Sequence, residues 1–280
     1  MAWIRSVTVA LAVGLPAVMP AETNVFEAVA HRMRVSAYAD VESAYWARGA
    51  IVHKDPYSAQ YADASFDFGA FGRIGAFAWS VSSLSRKGQA ANRRNAYNEV
   101  DYVAYYAYSL KLVEGWALET MVGPHWVTLP GYRPHASTIH EWNLGQALRN
   151  PYVTPYYLLR RAYRPNDGWC YWEAGLTRAW AIDDRLTLTA SGFAELGDGH
   201  HFAAQYGPNP HGDGSYAHGL MTLNLVLRLD CALTDHLGLF AFVHQFDVTS
   251  GDARDALDAN TNPESLKDLT IFGVGVTAKF

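Results

Sequence analysis

The last twelve residues, Leu269-Thr270-Ile271-Phe272-Gly273-Val274-Gly275-Val276-Thr277-Ala278-Lys279-Phe280, repeat with a period of two. Phe272, Val274, Val276, Ala278 and Phe280 share one side. Successive side chains of an extended chain point to opposite faces, so this is a strand with one apolar face. The pattern continues upstream. Met221, Leu223, Leu225, Leu227 and Leu229 alternate with Thr222, Asn224, Val226 and Arg228. Leu186, Leu188, Ala190 and Gly192 oppose Arg185, Thr187, Thr189, Ser191 and Glu195. From 99 to 112, Val100, Tyr102, Ala104, Tyr106, Tyr108, Leu110 and Leu112 oppose Glu99, Asp101, Val103, Tyr105, Ala107, Ser109 and Lys111.

This reading predicts strands at 34–48, 57–69, 73–83, 99–112, 116–129, 137–149, 155–164, 168–182, 185–197, 217–232, 237–249 and 268–280. Each is near or above the ~9–11 residues that cross a bilayer at a tilt. A soluble sandwich would alternate in the same way, so the connections decide. Phe71-Gly72, Val113-Glu114-Gly115, Asp183-Asp184 and Thr234-Asp235-His236 are tight, whereas 84–98, 198–216 and 250–267 are long and polar. The connections at 150–154 and 165–167 follow this parity only loosely. Short turns on one rim and long loops on the other predict an all-β, antiparallel up-and-down transmembrane barrel of about twelve strands. In lipid every backbone N–H and C=O needs a protein partner, so such a sheet must close.

Composition agrees. The chain has 280 residues, a net charge of −5, 14% aromatics with 17 Tyr and 9 Trp, and 18% charged residues. Hydrophobic residues reach 50%, yet the mean hydropathy is only −0.10, so apolar residues are interspersed rather than blocked. That excludes a disordered chain and a helical membrane protein. The acidic balance argues against nucleic acid as a partner. Trp79, Trp116, Trp126, Tyr106, Tyr108, Trp142 and Trp180 are candidates for the aromatic girdle at the headgroup level. Cys170 and Cys231 fall near opposite rims, too far apart for a disulfide.

Residues 1–21 read as a signal peptide, with Arg5 before the apolar stretch Ser6 to Val18. Residues 22–33 form a short periplasmic segment and 34–280 the barrel. With both termini at the periplasmic rim, the long loops face outward. The outer-membrane location makes outer-membrane lipid a partner. The closing strand, ending on Phe280, resembles the C-terminal targeting strand of bacterial outer-membrane proteins. That resemblance implies the barrel-assembly machinery as a further partner.

If the apolar faces meet lipid, the polar faces line the lumen. The first strand then contributes Asp40, Glu42 and Arg48, the second Asp63 and Asp67, and the fourth Glu99 and Asp101. Later strands add Glu119, Glu141, Glu173, Arg178, Arg185, Glu195 and Arg228. Arg160 and Arg161 are adjacent, so only one can point inward. Opposed acidic and basic rows create a field that selects small polar or charged solutes. Carboxylates outnumber bases, which favours cations. The competing reading has the same charges pairing across a narrow barrel and plugging it.

The run Val41-Glu42-Ser43-Ala44-Tyr45-Trp46-Ala47-Arg48-Gly49, the acidic strand around Asp63 and Asp67, and Asn98-Glu99-Val100-Asp101-Tyr102 resemble the TorF-like porins. The resemblance implies a small outer-membrane barrel and no particular substrate.

Enzymatic alternatives carry less. A barrel hydrolase would place a His-containing site at the outer rim, and His200, His201, His211 and His218 cluster there with Asp198 and Asp213. Thr138, His140 and Glu141 are consecutive or nearly so, but neighbouring strand residues point to opposite faces. No G-x-S-x-G, Walker loop, H-E-x-x-H or CxxC occurs, and nothing calls for a cofactor or metal. The expected function is a porin-like channel, not an enzyme.

Overall fold

A computed structural model describes residues 32–53, 55–84, 99–129, 137–164, 168–206, 219–259 and 267–280. The signal peptide, residues 1–21, lies outside the described residues.

Twelve strands form a closed antiparallel barrel: β1 (Met33–Glu42), β4 (Tyr57–Asp67), β5 (Arg73–Ser83), β6 (Glu99–Val113), β7 (Trp116–Leu129), β8 (Ser137–Arg149), β9 (Thr154–Arg164), β10 (Cys170–Ala181), β11 (Leu186–Gly197), β12 (Gly219–Ala232), β13 (Leu237–Val248) and β14 (Asp268–Lys279). Each pairs with its neighbours in sequence, and β1 closes the ring on β14, with Ser36 opposite Lys279 and Glu42 opposite Gly273. Val35 N–H donates to Phe280 C=O at 2.9 Å, sealing the seam at one rim. Closure leaves no edge strand, as lipid requires.

The parity of the connections holds around the whole ring. Turns at 68–72, 114–115, 150–153, 182–185 and 233–236 lie on the rim that carries both strand termini 33 and 279. The strand ends at Glu42 and Tyr57, Ser83 and Glu99, Leu129 and Ser137, Arg164 and Cys170, Gly197 and Gly219, and Val248 and Asp268 lie at the opposite rim. Side chains make the tight turns. Asp183 accepts from the backbone N–H groups of Arg185 and Leu186, both at 2.7 Å, which holds its carboxyl below the usual range. Asn150 accepts from Tyr152 and Val153 in the same way.

Alternation sorts the faces. In β14, Ile271 is fully buried while Phe272, Val274 and Val276 are 60%, 60% and 51% exposed. Leu223, Leu225, Leu227 and Leu229 of β12 also point outward. Met221 does not follow them. The register shifts between Glu195 and Leu196, where β11 faces β12, and Met221 turns into the lumen. A bulge of this kind re-aims the residues beyond it. The girdle needs one correction: Tyr106, Tyr108, Trp142 and Trp180 are exposed outside, but Trp79 shares the inward face with Phe77 and Val81.

Three elements depart from a plain barrel. The chain leaves the wall after Glu42 instead of continuing to 48. Residues 45–53 then form a separate hairpin, β2 (Tyr45–Ala47) and β3 (Ala50–His53). Its two-residue turn is Arg48-Gly49, with φ of 51° and 87°. Positive φ at both positions is what a type I′ turn demands, at a steric cost for Arg48. Two stretches read as loops begin with short helices, α1 (Gly199–Tyr206) and α2 (Gly251–Ala259). Asp198 Oδ1 caps α1 by accepting from His201 N–H at 2.8 Å, and Ser250 Oγ accepts from Ala253 N–H at 3.3 Å.

Candidate functional site

The hairpin folds into the barrel. Tyr45 and Trp46 are buried, and the Trp46 ring meets His244 edge-on at 4.7 Å and Phe193 and Phe246 at 6.0 Å. At the tip, Arg48 donates from Nη1 and Nη2 to the two carboxylate oxygens of Glu141, at 2.6 and 3.0 Å. This bidentate fork, together with Asp101 and Glu99 nearby, holds the Arg48 guanidinium above its ordinary pKa despite burial. A Cβ on Gly49 would come within 2.9 Å of Met221 Cε, so the methyl would have to move aside.

The wall opposite is built by register. Pairing of β7 with β8 sets His125 directly across from Glu141, and β6 brings Asp101 alongside. His125 Nε2 lies 3.0 Å from Asp101 Oδ2, and its Nδ1 lies 3.1 Å from Glu141 Oε2. Tyr45 donates its hydroxyl to Glu99. Arg160, buried on β9, lies over the Tyr171 ring at 5.8 Å.

A second network occupies the other side of the lumen. Glu173 accepts from the Tyr156 hydroxyl at 3.1 Å, and the Tyr171 hydroxyl oxygen lies 3.2 Å from its carboxylate. Glu195 accepts from Tyr171, from Thr222 at 2.5 Å and from Asn224 at 3.3 Å. Asn224 in turn contacts His244 Nε2 at 2.8 Å, beneath Trp46.

The helices close over this assembly. Phe202 and Tyr206 of α1 and Ala253, Ala256 and Leu257 of α2 are buried toward the lumen. Tyr206 donates to Gly49 C=O at 2.5 Å, and His201 Nε2 lies 3.3 Å from Arg48 C=O. Burial, with the Arg48 charge beside it, pushes the His201 pKa down to about 4.

Toward the short-turn rim the lumen is open. A cavity of about 540 Å³ is bounded by β1 and β4–β8. Three pairs form among its polar side chains: Arg34 with Asp67 at 3.2 Å, Arg149 with Glu119 at 2.7 Å, and Tyr105 O–H with Asp63 at 2.9 Å.

Among the residues assigned to the lumen from sequence, Asp40, Glu42, Glu99, Asp101, Glu141, Glu173, Glu195 and Arg228 are buried on inward faces. Asp63, Asp67 and Glu119 line the open cavity. Arg228 folds onto Asp230 at 2.6–3.0 Å and under the Phe240 ring at 3.8 Å. Arg48 sits in the lumen from the hairpin tip, not from a wall strand. Arg178 and Arg185 do not line it. Arg178 is on the outward face of β10, over the Trp180 ring at 5.4 Å, and donates to Tyr152 C=O at 2.5 Å. Its even number puts it in phase with exposed Leu176 and Trp180, and its length carries its charge to the rim. Arg185 precedes β11 and is exposed in the turn.

Sequence reasoning missed Tyr45, Trp46, Arg160 and His244 as partners in the lumen. The Arg48-Gly49 pair, inside an otherwise alternating run, was the available sign of a turn. Of the rim histidines, His201 points inward while His200 is exposed; His211, His218 and Asp213 lie outside the described residues. His140 faces outward between Trp126 and Arg164, its ring 5.7 Å from Tyr163.

No protein-family model and no curated protein matches this sequence. Solved structures do match. An outer membrane channel from Pseudomonas putida F1 aligns with a TM-score of 0.55 at 12% identity, over 89% of this chain and 95% of that one. The fold is that of an outer-membrane barrel. Outer membrane phospholipase A from Escherichia coli aligns at a TM-score of 0.48 and 14% identity, over 87% and 92% of the two chains. The KdgM porin aligns at 0.43 and 10%, over 88% and 99%. At these identities the likeness is one of architecture, so chemistry must be argued from this chain's own residues.

Proposed function

We propose that this chain is an outer-membrane channel for small polar or charged solutes, with the 45–53 hairpin as its constriction. One observation carries the reading: a barrel already closed by its wall commits a further segment to the lumen and sets Arg48 at its tip against Glu141 there. A field of this kind discriminates among solutes. Buried inward carboxylates outnumber buried inward guanidiniums, which supports a cation preference. The docking is also incomplete, because Trp46 Nε1 and Arg160 Nε are buried with no acceptor among the described residues. Unmet donors cost about 1–3 kcal/mol each, which makes the hairpin displaceable.

In this reading the short-turn rim is periplasmic, the apolar outer face meets outer-membrane lipid, and the assembly machinery reads the strand ending at Phe280. The likeness of 41–49, Asp63, Asp67 and 98–102 to the TorF-like porins supports the same assignment. A second reading, a closed structural barrel, is favoured by how fully the hairpin and both helices fill the loop-rim half.

The chain without residues 1–21, refolded in detergent, is to be recorded in a planar bilayer under a salt gradient, beside Arg48→Ala. Cation-preferring steps that grow in the variant support the channel. Silence from both folded proteins overturns it in favour of the closed barrel.

A further inference from the structure

We infer that the outer wall of the barrel, where β8 and β9 reach the loop rim, binds the phosphate headgroup of a lipid. β9 supplies two exposed guanidiniums there, Arg161 and Arg164. Strict alternation would turn residues three apart to opposite faces. The register prevents this. Arg161 pairs with Trp142 and Ala162 with Glu141; the ladder then shifts, and Arg164 stands opposite His140. Trp142 and His140 lie on the outward face of β8, whereas Glu141 points inward. The irregularity therefore sets both arginines on the side that meets lipid. Tyr163 is exposed between them, its ring 5.7 Å from that of His140.

The charges choose the class of ligand. Arg34, Arg48, Arg149, Arg228 and Arg254 each meet a carboxylate, but among the described residues Arg161 and Arg164 meet none. On the β13–β14 side of the same rim the balance is reversed, with Arg254 held between Asp247 at 3.1 Å and Asp268 at 3.2 Å. The cationic patch is thus local to β9. A guanidinium presents a planar fork of donors that matches phosphate oxygens. Trp142 and Tyr163 beside the arginines are the residue types that settle at the headgroup level. On the next outward rung Leu144 faces Leu159, an apolar wall for acyl chains. A lipid held against that wall keeps its phosphate at the arginines at high effective concentration. Free phosphate has no such tether, and ion pairs on an open, hydrated surface hold little.

The inference rests on the outer-membrane placement and not on conduction. The chain without residues 1–21, refolded in a non-ionic detergent, is mixed with phosphatidic acid or with phosphatidylcholine of the same acyl chains. Retained lipid is counted by native mass spectrometry. A single phosphatidic acid per barrel is expected, with phosphatidylcholine held far less. Arg161→Gln/Arg164→Gln should weaken that retention roughly tenfold. Arg178→Gln/Arg185→Gln, which removes two arginines at the short-turn rim, should leave it unchanged. The comparison of the two lipids uses the wild-type barrel and needs no variant to fold. Equal retention of both lipids overturns the inference, as does equal retention of phosphatidic acid by wild type and the β9 variant. So does inorganic phosphate that binds alone as well as the lipid does, or a lipid-free dimer that the β9 variant abolishes. A barrel that retains phosphatidic acid but carries no current would sink the channel and leave the site standing.

Discussion

The two halves of the lumen are built from the same residue types and behave as different materials. Near the loop rim, carboxylates, arginines, tyrosines and histidines are locked around the hairpin: Glu141 is gripped by Arg48, Glu173 and Glu195 by tyrosines. Near the short-turn rim, Asp67 and Glu119 hold arginines of their own strands' neighbours beside open space. The difference is the hairpin, with α1 and α2 packed over it. A narrow barrel leaves an aqueous space wherever no segment fills it, so the first connection decides which half is solid. In the solid half an ion pair is a structural joint; in the open half it is screened by water and worth little.

The largest break in this contrast should come from Glu141→Ala. It leaves Arg48 buried without its fork, and losing one partner of a buried pair costs about 3–5 kcal/mol. Guanidinium unfolding followed by tryptophan fluorescence should show an early phase as Trp46 leaves its pocket against His244 and Phe246. A single transition at the wild-type midpoint would show that the hairpin is not anchored there.

Acid should loosen the same joint from above. His201 titrates at about 4 when α1 is docked, against about 6.5 when it is free. Between those values the undocked state carries the extra proton, so docking weakens as pH falls from 6.5 toward 4 and is constant above 6.5. The shift corresponds to a few kcal/mol at most, at roughly 1.4 kcal/mol per unit. Hydrogen exchange in α1 should accelerate across that window in the wild type and much less so in His201→Gln. Parallel profiles would remove His201 from the linkage.

These joints were only partly legible in the sequence. The wall was readable because burial on one side imprints a period of two: the limits of β7 and β8 match the expected 116–129 and 137–149. The phase of each strand also placed Glu99, Asp101, Glu141, Glu173 and Glu195 inside. Their partners were not readable, because His125 meets Glu141 through a β7–β8 register that no local pattern encodes. The hairpin was hidden by its own regularity. Tyr45, Trp46 and Ala47 extend the alternation of β1, so 34–48 looks like one strand, although only Arg48-Gly49 can make the turn. The helices escaped for another reason: eight or nine residues beginning on Gly look like loop until a buried face, such as Phe202 with Tyr206, identifies them.

Gly49→Ala tests the tip on a finer scale. Its φ of 87° is costly for any residue with a Cβ, about 1–2 kcal/mol, and the Met221 methyl must give way. Hydrogen exchange at 45–49 should rise several-fold while exchange in β13 and β14 stays unchanged. A global change would mean that the hairpin supports the wall as well as filling it.

The smallest effect is expected on the open side, and it is the one that most sharpens the contrast. Arg34 and Asp67 are joined at 3.2 Å, with side chains 50% and 33% exposed. Water and salt reach both groups, so their attraction is offset by solvation, and such pairs give about 0–1 kcal/mol. Arg34→Gln should therefore leave the unfolding midpoint nearly unchanged, and raising salt from 0.05 to 0.5 M, roughly a threefold drop in Debye length, should erase what difference remains. Glu141→Ala should keep its deficit at both salt concentrations, since no counterion reaches Arg48 while the hairpin is seated. If Arg34→Gln proved as costly as Glu141→Ala, the open half would be a joint too, and the division of the lumen by the hairpin would fail.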